Sequence, residues 1–198
     1  MPKVGMSAIR RQQLISATCQ LIRDGGLGEA TMASVADAAG LSTGIVAHYF
    51  GNKEGLLEAT MRQVLRDLRA AVAHYRQQAP DDSPLSALRA IVLGNFDETQ
   101  VNSDAMRVWL AFWSASLNQP ALARLQHVND KRLYSNLAFQ FARVLPSAQA
   151  KLAATGLAAI IDGLWLRGSL SRQKFDTQQA TLIAFDYIDQ YLGRASQI

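Results

Sequence analysis

The segment 31–50, TMASVADAAGLSTGIVAHYF, has residue types and a spacing that could contact DNA. Ala36 precedes Gly40 by four residues, as expected where two short helices pack closely and are joined by a tight turn. Glycine suits that turn because it adopts a positive φ without strain. Val35 and Val46 would then supply apolar contacts between the two helices, together with the leucine at position 41. The pattern predicts a helix-turn-helix.

The outward face of the second of these helices would carry short, uncharged side chains. Ser42 stands where it would cap the helix, and the outward face would comprise Thr43, Gly44, Ala47 and His48. Such a face lets a helix lie deep in a DNA major groove, which is about 12 Å wide. The spacing alone is also compatible with an αα-hairpin inside an ordinary helical bundle.

A second group of residues has the chemistry of a cation site. Trp109 and Trp113 are four residues apart and share a helical face, with Phe112 beside them. Asp162 and Trp165 are three apart and are predicted to share another face. Aromatic rings with a carboxylate can form a cage around a quaternary ammonium, which has no proton to donate.

Two further carboxylates, Asp97 and Glu98, end the helix before the two tryptophans and are the second choice for that cage. A structural role is the alternative for all these residues. Tryptophans at helical spacing commonly pack in a core, and Asp162 could pair with Arg167.

Helical periodicity dominates the elements that must position these residues, so the sequence predicts an all-α fold of about nine helices. They are expected at about residues 8–25, 32–39, 43–49, 53–79, 84–98, 104–117, 120–145, 147–171 and 177–193. The segment Pro80–Pro84 is the clearest boundary between domains.

Three parts of the chain follow from this arrangement. Residues 1–52 would form a three-helix DNA-binding domain, 53–79 a connecting helix, and 80–198 a ligand-binding and dimerisation domain. The last two helices are apolar around much of their circumference, which predicts a homodimer through a four-helix seam. Leu157 and Ile161 are the seam positions expected there.

Composition limits the class of protein. The 198 residues are 49% hydrophobic and 18% charged, which excludes fibrous and disordered chains. The single cysteine, Cys19, cannot form an internal disulfide. The first fifteen residues lack an apolar leader, and the apolar stretch Leu152–Leu166 is interrupted by Asp162. We therefore expect a cytoplasmic protein without a membrane segment. The net charge of +4 does not by itself locate a nucleic-acid site, because the excess lies past residue 60.

Catalysis is not expected. The three histidines lie far apart in the sequence, and no nucleophile elbow, zinc-protease motif or glycine-rich phosphate loop is present. Neither a cofactor nor a metal is predicted.

Residues 8–60 as a whole resemble the DNA-binding domain of the TetR family of transcriptional repressors. The resemblance rests on the basic helix 1, on the order Thr31, AGLSTG, HYF, and on NKEGLL. It implies DNA-facing positions in the recognition helix and a phosphate-contacting lysine at the start of helix 4. Those positions are Thr43, Gly44, His48 and Tyr49 in the recognition helix and Lys53 at the start of helix 4. Ala33, on the preceding helix, lies where some members carry a base-reading side chain, and Ser42, at the start of the recognition helix, is a further DNA-binding candidate. Tyr49 could instead be a core aromatic, and Ala47 replaces a tyrosine that the family often has.

Within that family, the whole chain resembles repressors of glycine-betaine synthesis that respond to choline. The strings GNFDETQVNS, MRVWLAFWSASLNQPAL and LAAIIDGLWLRGSLS carry this likeness. It implies double-stranded operator DNA as the partner and choline as the effector, bound by a homodimer. A repressor that senses another cationic or lipophilic molecule, such as a drug, is the alternative.

Overall fold

The computed structural model describes residues 4–171 and 173–195, and these residues form ten helices and no strand. The helices are α1 (Val4–Gly25), α2 (Met32–Ala38), α3 (Thr43–Phe50), α4 (Lys53–Gln77), α5 (Pro84–Asn95), α6 (Glu98–Val101), α7 (Ser103–Ser116), α8 (Pro120–Ala142), α9 (Ser147–Leu170) and α10 (Thr177–Ala195). The all-α prediction is confirmed. The helix expected at 84–98 ends at Asn95, and the single turn α6 follows it. None of the described helices is long and apolar enough to cross a membrane.

The chain divides into two compact units. The first runs through Leu65 and includes Arg107–Gln126, and the second comprises Arg66–Met106 and the chain from His127 onward. The first unit thus extends past the predicted boundary at residue 52 and takes in parts of α7 and α8. The predicted ranges 1–52 and 80–198 also contain residues 1–3, 172 and 196–198, which lie outside the described residues.

The first unit is built around the contact of α2 with α1 and α3. Leu14, Val35 and Val46 are fully buried there, one from each helix, and Ala36 leaves room for the helices to approach. Leu41 packs against this cluster from the turn. The predicted apolar contacts between the two helices of the motif are therefore confirmed.

The turn between α2 and α3 depends on Gly40, whose φ of 64° lies in the left-handed region. The backbone N–H of Leu41 donates to the carbonyl of Ala36 at 2.9 Å, and that of Gly40 donates to Asp37 at 3.1 Å. These bonds close the end of α2 and redirect the chain into α3. The positive φ predicted at this glycine is confirmed.

The two short helices begin in different ways. At α2, the hydroxyl of Thr31 accepts from the Ser34 N–H at 3.1 Å, and the Ser34 hydroxyl accepts from the Thr31 N–H at 3.0 Å. At α3, Ser42 occupies the N-cap position, but its side chain makes no capping hydrogen bond, so the predicted side-chain cap is wrong. The N–H of Ile45 instead donates to the backbone carbonyl of Ser42 at 2.9 Å, which satisfies the donor that a hydroxyl would have served.

The second unit places α10 against α5 and α9. Leu157 and Ile161 of α9 are 0% and 1% exposed within this single chain, so the prediction that they form a dimer seam is wrong. The periodicity predicts that α9 is apolar, but it does not show which face of α9 is buried by other helices of the same chain. Gly94 of α5 lies so close to Val72 of α4 that an added Cβ would clash with the Val72 Cα. The C-terminal half of α4 is thus in backbone contact with α5.

Removing the two N-cap hydroxyls should have unequal effects. We expect Thr31→Ala to lower the free energy of unfolding by about 1 kcal/mol, because it removes a reciprocal capping pair. Ser42→Ala is the matched control and should cost less than about 0.5 kcal/mol, since its hydroxyl caps nothing. Urea denaturation followed by circular dichroism measures both. Equal losses in the two variants would contradict the cap assignment.

Candidate DNA-binding surface and effector site

One face of α3 carries most of the predicted DNA-contacting residues, and it is open to solvent. The exposed residues of this face are Ser42, Thr43, Gly44, Ala47 and His48. None carries a long side chain, so the helix backbone itself is accessible from this side. Ala33 of α2 is also exposed. The opposite face of α3 is held by the core through Val46.

Gly44 is not required by packing. A Cβ built at this position would meet only the Ser42 hydroxyl oxygen, at 3.9 Å, which is an ordinary contact. The backbone there is helical, so glycine is not needed for its φ either. The fold therefore does not require glycine at position 44.

Tyr49 has an intermediate position between surface and core. It is half-buried and packs against the core of the first unit, while its ring lies 5.4 Å from the His48 ring and 6.3 Å from the Phe50 ring. The guanidinium of Arg11 lies 5.4 Å from the centre of the Phe50 ring. This cation–π contact ties α1 to the end of α3, and sequence reasoning noted Arg11 only as part of a basic helix.

Lys53, the first residue of α4, is half-buried. Its ammonium donates to the backbone carbonyl of Gly28 at 3.4 Å, at the long limit for a hydrogen bond. This contact links the start of α4 to the loop before α2, and so to the motif that Thr31 caps.

The predicted aromatic residues of α7 lie in the first unit. The rings of Trp109 and Trp113 are 6.4 Å apart and tilted by 57°, so the structure brings this pair together. Trp109 and Phe112 are buried, and Trp113 is half-buried.

Trp165 and Asp162 belong to the second unit and have different surroundings. The indole N–H of Trp165 donates to the backbone carbonyl of Asn95 at 3.1 Å, and the ring is buried. Asp162 keeps an exposed surface in the single chain. The two side chains are thus divided between core and surface, although they are three residues apart.

Asp162 is nevertheless an unusual carboxyl. Protein atoms around it displace enough water to raise its pKa, and the negative charge of Asp130 raises it further, to about 6. A carboxylate beside another carboxylate creates a negative potential that a cation would relieve.

Asp97 is the N-cap of α6 and is the most fully bonded of the three carboxylates. One oxygen accepts from the Thr99 N–H at 2.9 Å and from the Thr99 hydroxyl at 2.6 Å, and the other accepts from the Tyr75 hydroxyl at 3.1 Å. Partial burial opposes ionisation, but these bonds and His74 outweigh it and lower the pKa of Asp97. Sequence reasoning missed Tyr75, because nothing local marks a partner 22 residues away.

Glu98 is exposed and lines a cleft of about 770 Å³ in the second unit. The other lining residues are Thr99, Val101, Asn102, Lys174, Phe175, Asp176 and Thr177. No group of three or more metal-binding side chains occurs within the ranges 4–171 and 173–195.

Two family descriptions match the chain. Residues 14–60 match the family described as bacterial regulatory proteins, tetR family. Residues 84–193 match the family described as BetI-type transcriptional repressor, C-terminal.

Curated relatives match over nearly the whole length. HTH-type transcriptional regulator BetI of Stenotrophomonas maltophilia is 60% identical over 99% of this chain and 100% of its own. The regulators of the same name from Burkholderia thailandensis and Pseudomonas aeruginosa are 59% and 58% identical. The matches cover 98% of both chains for the first, and 99% of this chain and 100% of its own for the second.

Solved structures share the fold. A transcriptional regulator of a Rhodococcus species has a TM-score of 0.80 at 24% identity, covering 93% of this chain and 96% of its own. A regulator of Saccharomonospora viridis, solved in complex with choline, has a TM-score of 0.77 at 20% identity, covering 92% and 96%. At these identities the likeness shows the fold alone.

The helix-turn-helix, the full-length relatives and the matched C-terminal family agree with one another. They also confirm that the protein is a transcriptional regulator and not an enzyme. The chain belongs to the TetR family of transcriptional repressors and, within it, to the BetI type.

Proposed function

We propose that this repressor controls the genes for glycine-betaine synthesis from choline, and that choline lowers its affinity for their operator. The open, short-chained face of α3 is the observation that carries DNA binding. The BetI name of the relatives supports the choline response, and so does the choline complex of the Saccharomonospora neighbour.

The recognition helix is α3. Thr43 and His48 face the base edges, Gly44 admits the groove wall close to the backbone, and Ser42 and Ala33 lie at the rim of the contact. Tyr49 contributes the exposed part of its ring. The ammonium of Lys53 neutralises a phosphate and sets the register without reading sequence.

A homodimer presents two such helices to adjacent major grooves. The two-fold axis then favours a near-palindromic operator with half-sites one turn apart, about 34–36 Å. The exposed apolar side chains of α9 and α10 are the surface that we assign to the dimer seam. They are Leu152, Leu166, Leu170, Leu182 and Ile183.

The effector site must compensate a permanent positive charge. Choline cannot lose a proton, so its burial requires negative potential. The candidate rings are Trp109, Phe112 and Trp113 in the first unit and Trp165 in the second. The candidate carboxylates, Asp162, Asp97 and Glu98, belong to the second unit. One ring face contributes about 0.5–2 kcal/mol, so rings alone give only part of a useful affinity. We retain Asp162 as the first candidate because Asp130 adds to its negative potential.

Choline changes operator affinity only if it binds two conformations differently. In this proposal it favours a conformation in which the two recognition helices no longer match adjacent grooves.

Bulk at position 44 should abolish operator binding and leave the fold intact. Gly44→Leu fills the space that the groove wall needs, while no protein atom crowds the new Cβ. Leucine also favours a helix over glycine by about 0.8–1 kcal/mol, so the melting temperature should not fall. Fluorescence anisotropy with an operator duplex and thermal melting measure the two effects. Gly44→Ala is the graded control and should weaken binding less. Unfolding of either variant would contradict this assignment.

Charges on the outward face of α9 and α10 should separate the dimer. Leu166→Glu combined with Leu182→Glu places charges at exposed apolar positions and should yield folded monomers that bind a full operator poorly. Val128→Glu, which alters an exposed valine of α8, is the matched control and should remain a dimer. Sedimentation velocity measures the oligomeric state of each variant. A dimer that survives both substitutions would place the seam elsewhere.

The choline response should weaken in acid. The pKa of Asp162 is raised to about 6, so this carboxyl is neutral below that pH and ionised above it. The choline concentration that half-releases the operator should therefore rise as the pH falls below 6. Asp162→Asn should raise that concentration about tenfold at pH 7.5, equivalent to about 1.4 kcal/mol, and remove the pH dependence.

Asp130→Asn is the control for this experiment. It removes the neighbouring charge, so the pH dependence should shift to lower pH while the response persists. The uncharged isostere 3,3-dimethylbutanol should release little operator. An equal response to the isostere would show that the site does not recognise the positive charge of choline, and would favour the alternative of a lipophilic effector.

A further inference from the structure

The short helix α6 is a single turn held by side chains at both ends. Asp97 caps its start through Thr99. At its other end, the Asn102 amide donates to the Glu98 carbonyl at 2.8 Å, and its oxygen accepts from the Ala105 N–H at 2.9 Å. Four residues contribute too few backbone bonds to hold such a turn alone. These caps act together with the burial of Gln100 and Val101 to hold the turn in place.

The cap at Asp97 is also bonded to α4. The second carboxylate oxygen of Asp97 accepts the hydroxyl of Tyr75, a half-buried residue near the end of α4. The nearby contact of Val72 with Gly94 holds α4 against α5 but involves no polar group that a ligand could compete for. The Tyr75–Asp97 bond is thus a polar link between α4 and α6 that a charged ligand could disturb.

The exposed side of α6 forms part of the 770 Å³ cleft. Glu98 and Thr99 line it, together with Lys174, Phe175 and the start of α10. If Glu98, rather than Asp162, is the carboxylate that holds the cation, the cation lies one residue from Asp97. It would then compete with the Tyr75 hydroxyl for the negative charge of Asp97, the residue that caps the start of α6.

We propose that the Tyr75–Asp97 hydrogen bond couples effector binding to α4, and that it stabilises the ligand-free conformation that binds operator. This inference rests on the proposed choline response. Tyr75 is a positioning residue in it and does not contact the effector. Tyr75 lies on the same helix, α4, as Lys53, the proposed phosphate contact.

The sign of the effect distinguishes this role from others. A bond present only in the operator-binding conformation opposes the change that choline favours. Removing it makes the second conformation easier to reach, so less choline is needed. Loss of a residue that contacted choline would have the opposite effect, because more choline would be needed. A residue that serves only the packing would change stability and leave the choline requirement unaltered.

Tyr75→Phe in the full-length protein tests the proposal, because it removes the hydroxyl that bonds Asp97 and keeps the ring. The probe is a duplex of the region upstream of the betaine-synthesis genes, titrated with protein by fluorescence anisotropy at several choline concentrations. We expect the half-releasing concentration of choline to fall about fivefold, which is the change that one hydrogen bond supports. Operator affinity without choline should change less than about twofold, since the operator-binding conformation still predominates.

Tyr134→Phe is the matched control, since this tyrosine is exposed on α8 and should respond like the wild type. A half-releasing concentration that is unchanged or higher in Tyr75→Phe would overturn the coupling role while the proposed function stands. A wild-type protein whose operator binding ignores choline would overturn both.

Discussion

The structure depends on α3 being held from one side only. Val46 anchors the helix to Val35 of α2, and Gly40 turns the chain so that the two helices meet at that contact. The core contacts of α3 thus lie on its inner face, and the exposed face carries Thr43, Ala47 and His48 around Gly44. The side of α3 that packs in the core is therefore not the side that would enter a DNA groove.

A choline site must offset the cost of burying a positive charge that cannot be neutralised by loss of a proton. The candidate carboxylates Asp97 and Asp162 differ in the direction in which their pKa is shifted. Asp97 is kept ionised by Thr99 and Tyr75, whereas Asp162 titrates near pH 6 because of its surroundings and Asp130. The bonds of Asp97 suit it to a structural link, and the neighbouring charge of Asp130 makes Asp162 the stronger candidate for holding a cation.

Local signals in the sequence were sufficient for the motif. The contact of Val35 with Val46 and the positive φ at Gly40 are as predicted, whereas the side-chain cap predicted at Ser42 is not formed. Long-range contacts were not accessible in the same way. Periodicity does not show which face of α9 is buried within the chain, so Leu157 was wrongly assigned to the dimer seam. The hydrogen bond from Tyr75 joins residues 22 positions apart, and no local pattern in the sequence indicates it. The predicted ligand residues were chosen by chemical type, which does not reveal burial.

Hydroxyl-radical footprinting of the operator, with and without choline, tests the central claim most directly. A dimer that places α3 of each protomer in adjacent major grooves should protect two stretches of backbone one helical turn apart, about 34–36 Å. Choline should remove both protections together, because the conformational change acts on the pair of helices. A single protected stretch, or protection that choline leaves unchanged at saturating concentration, would contradict the account.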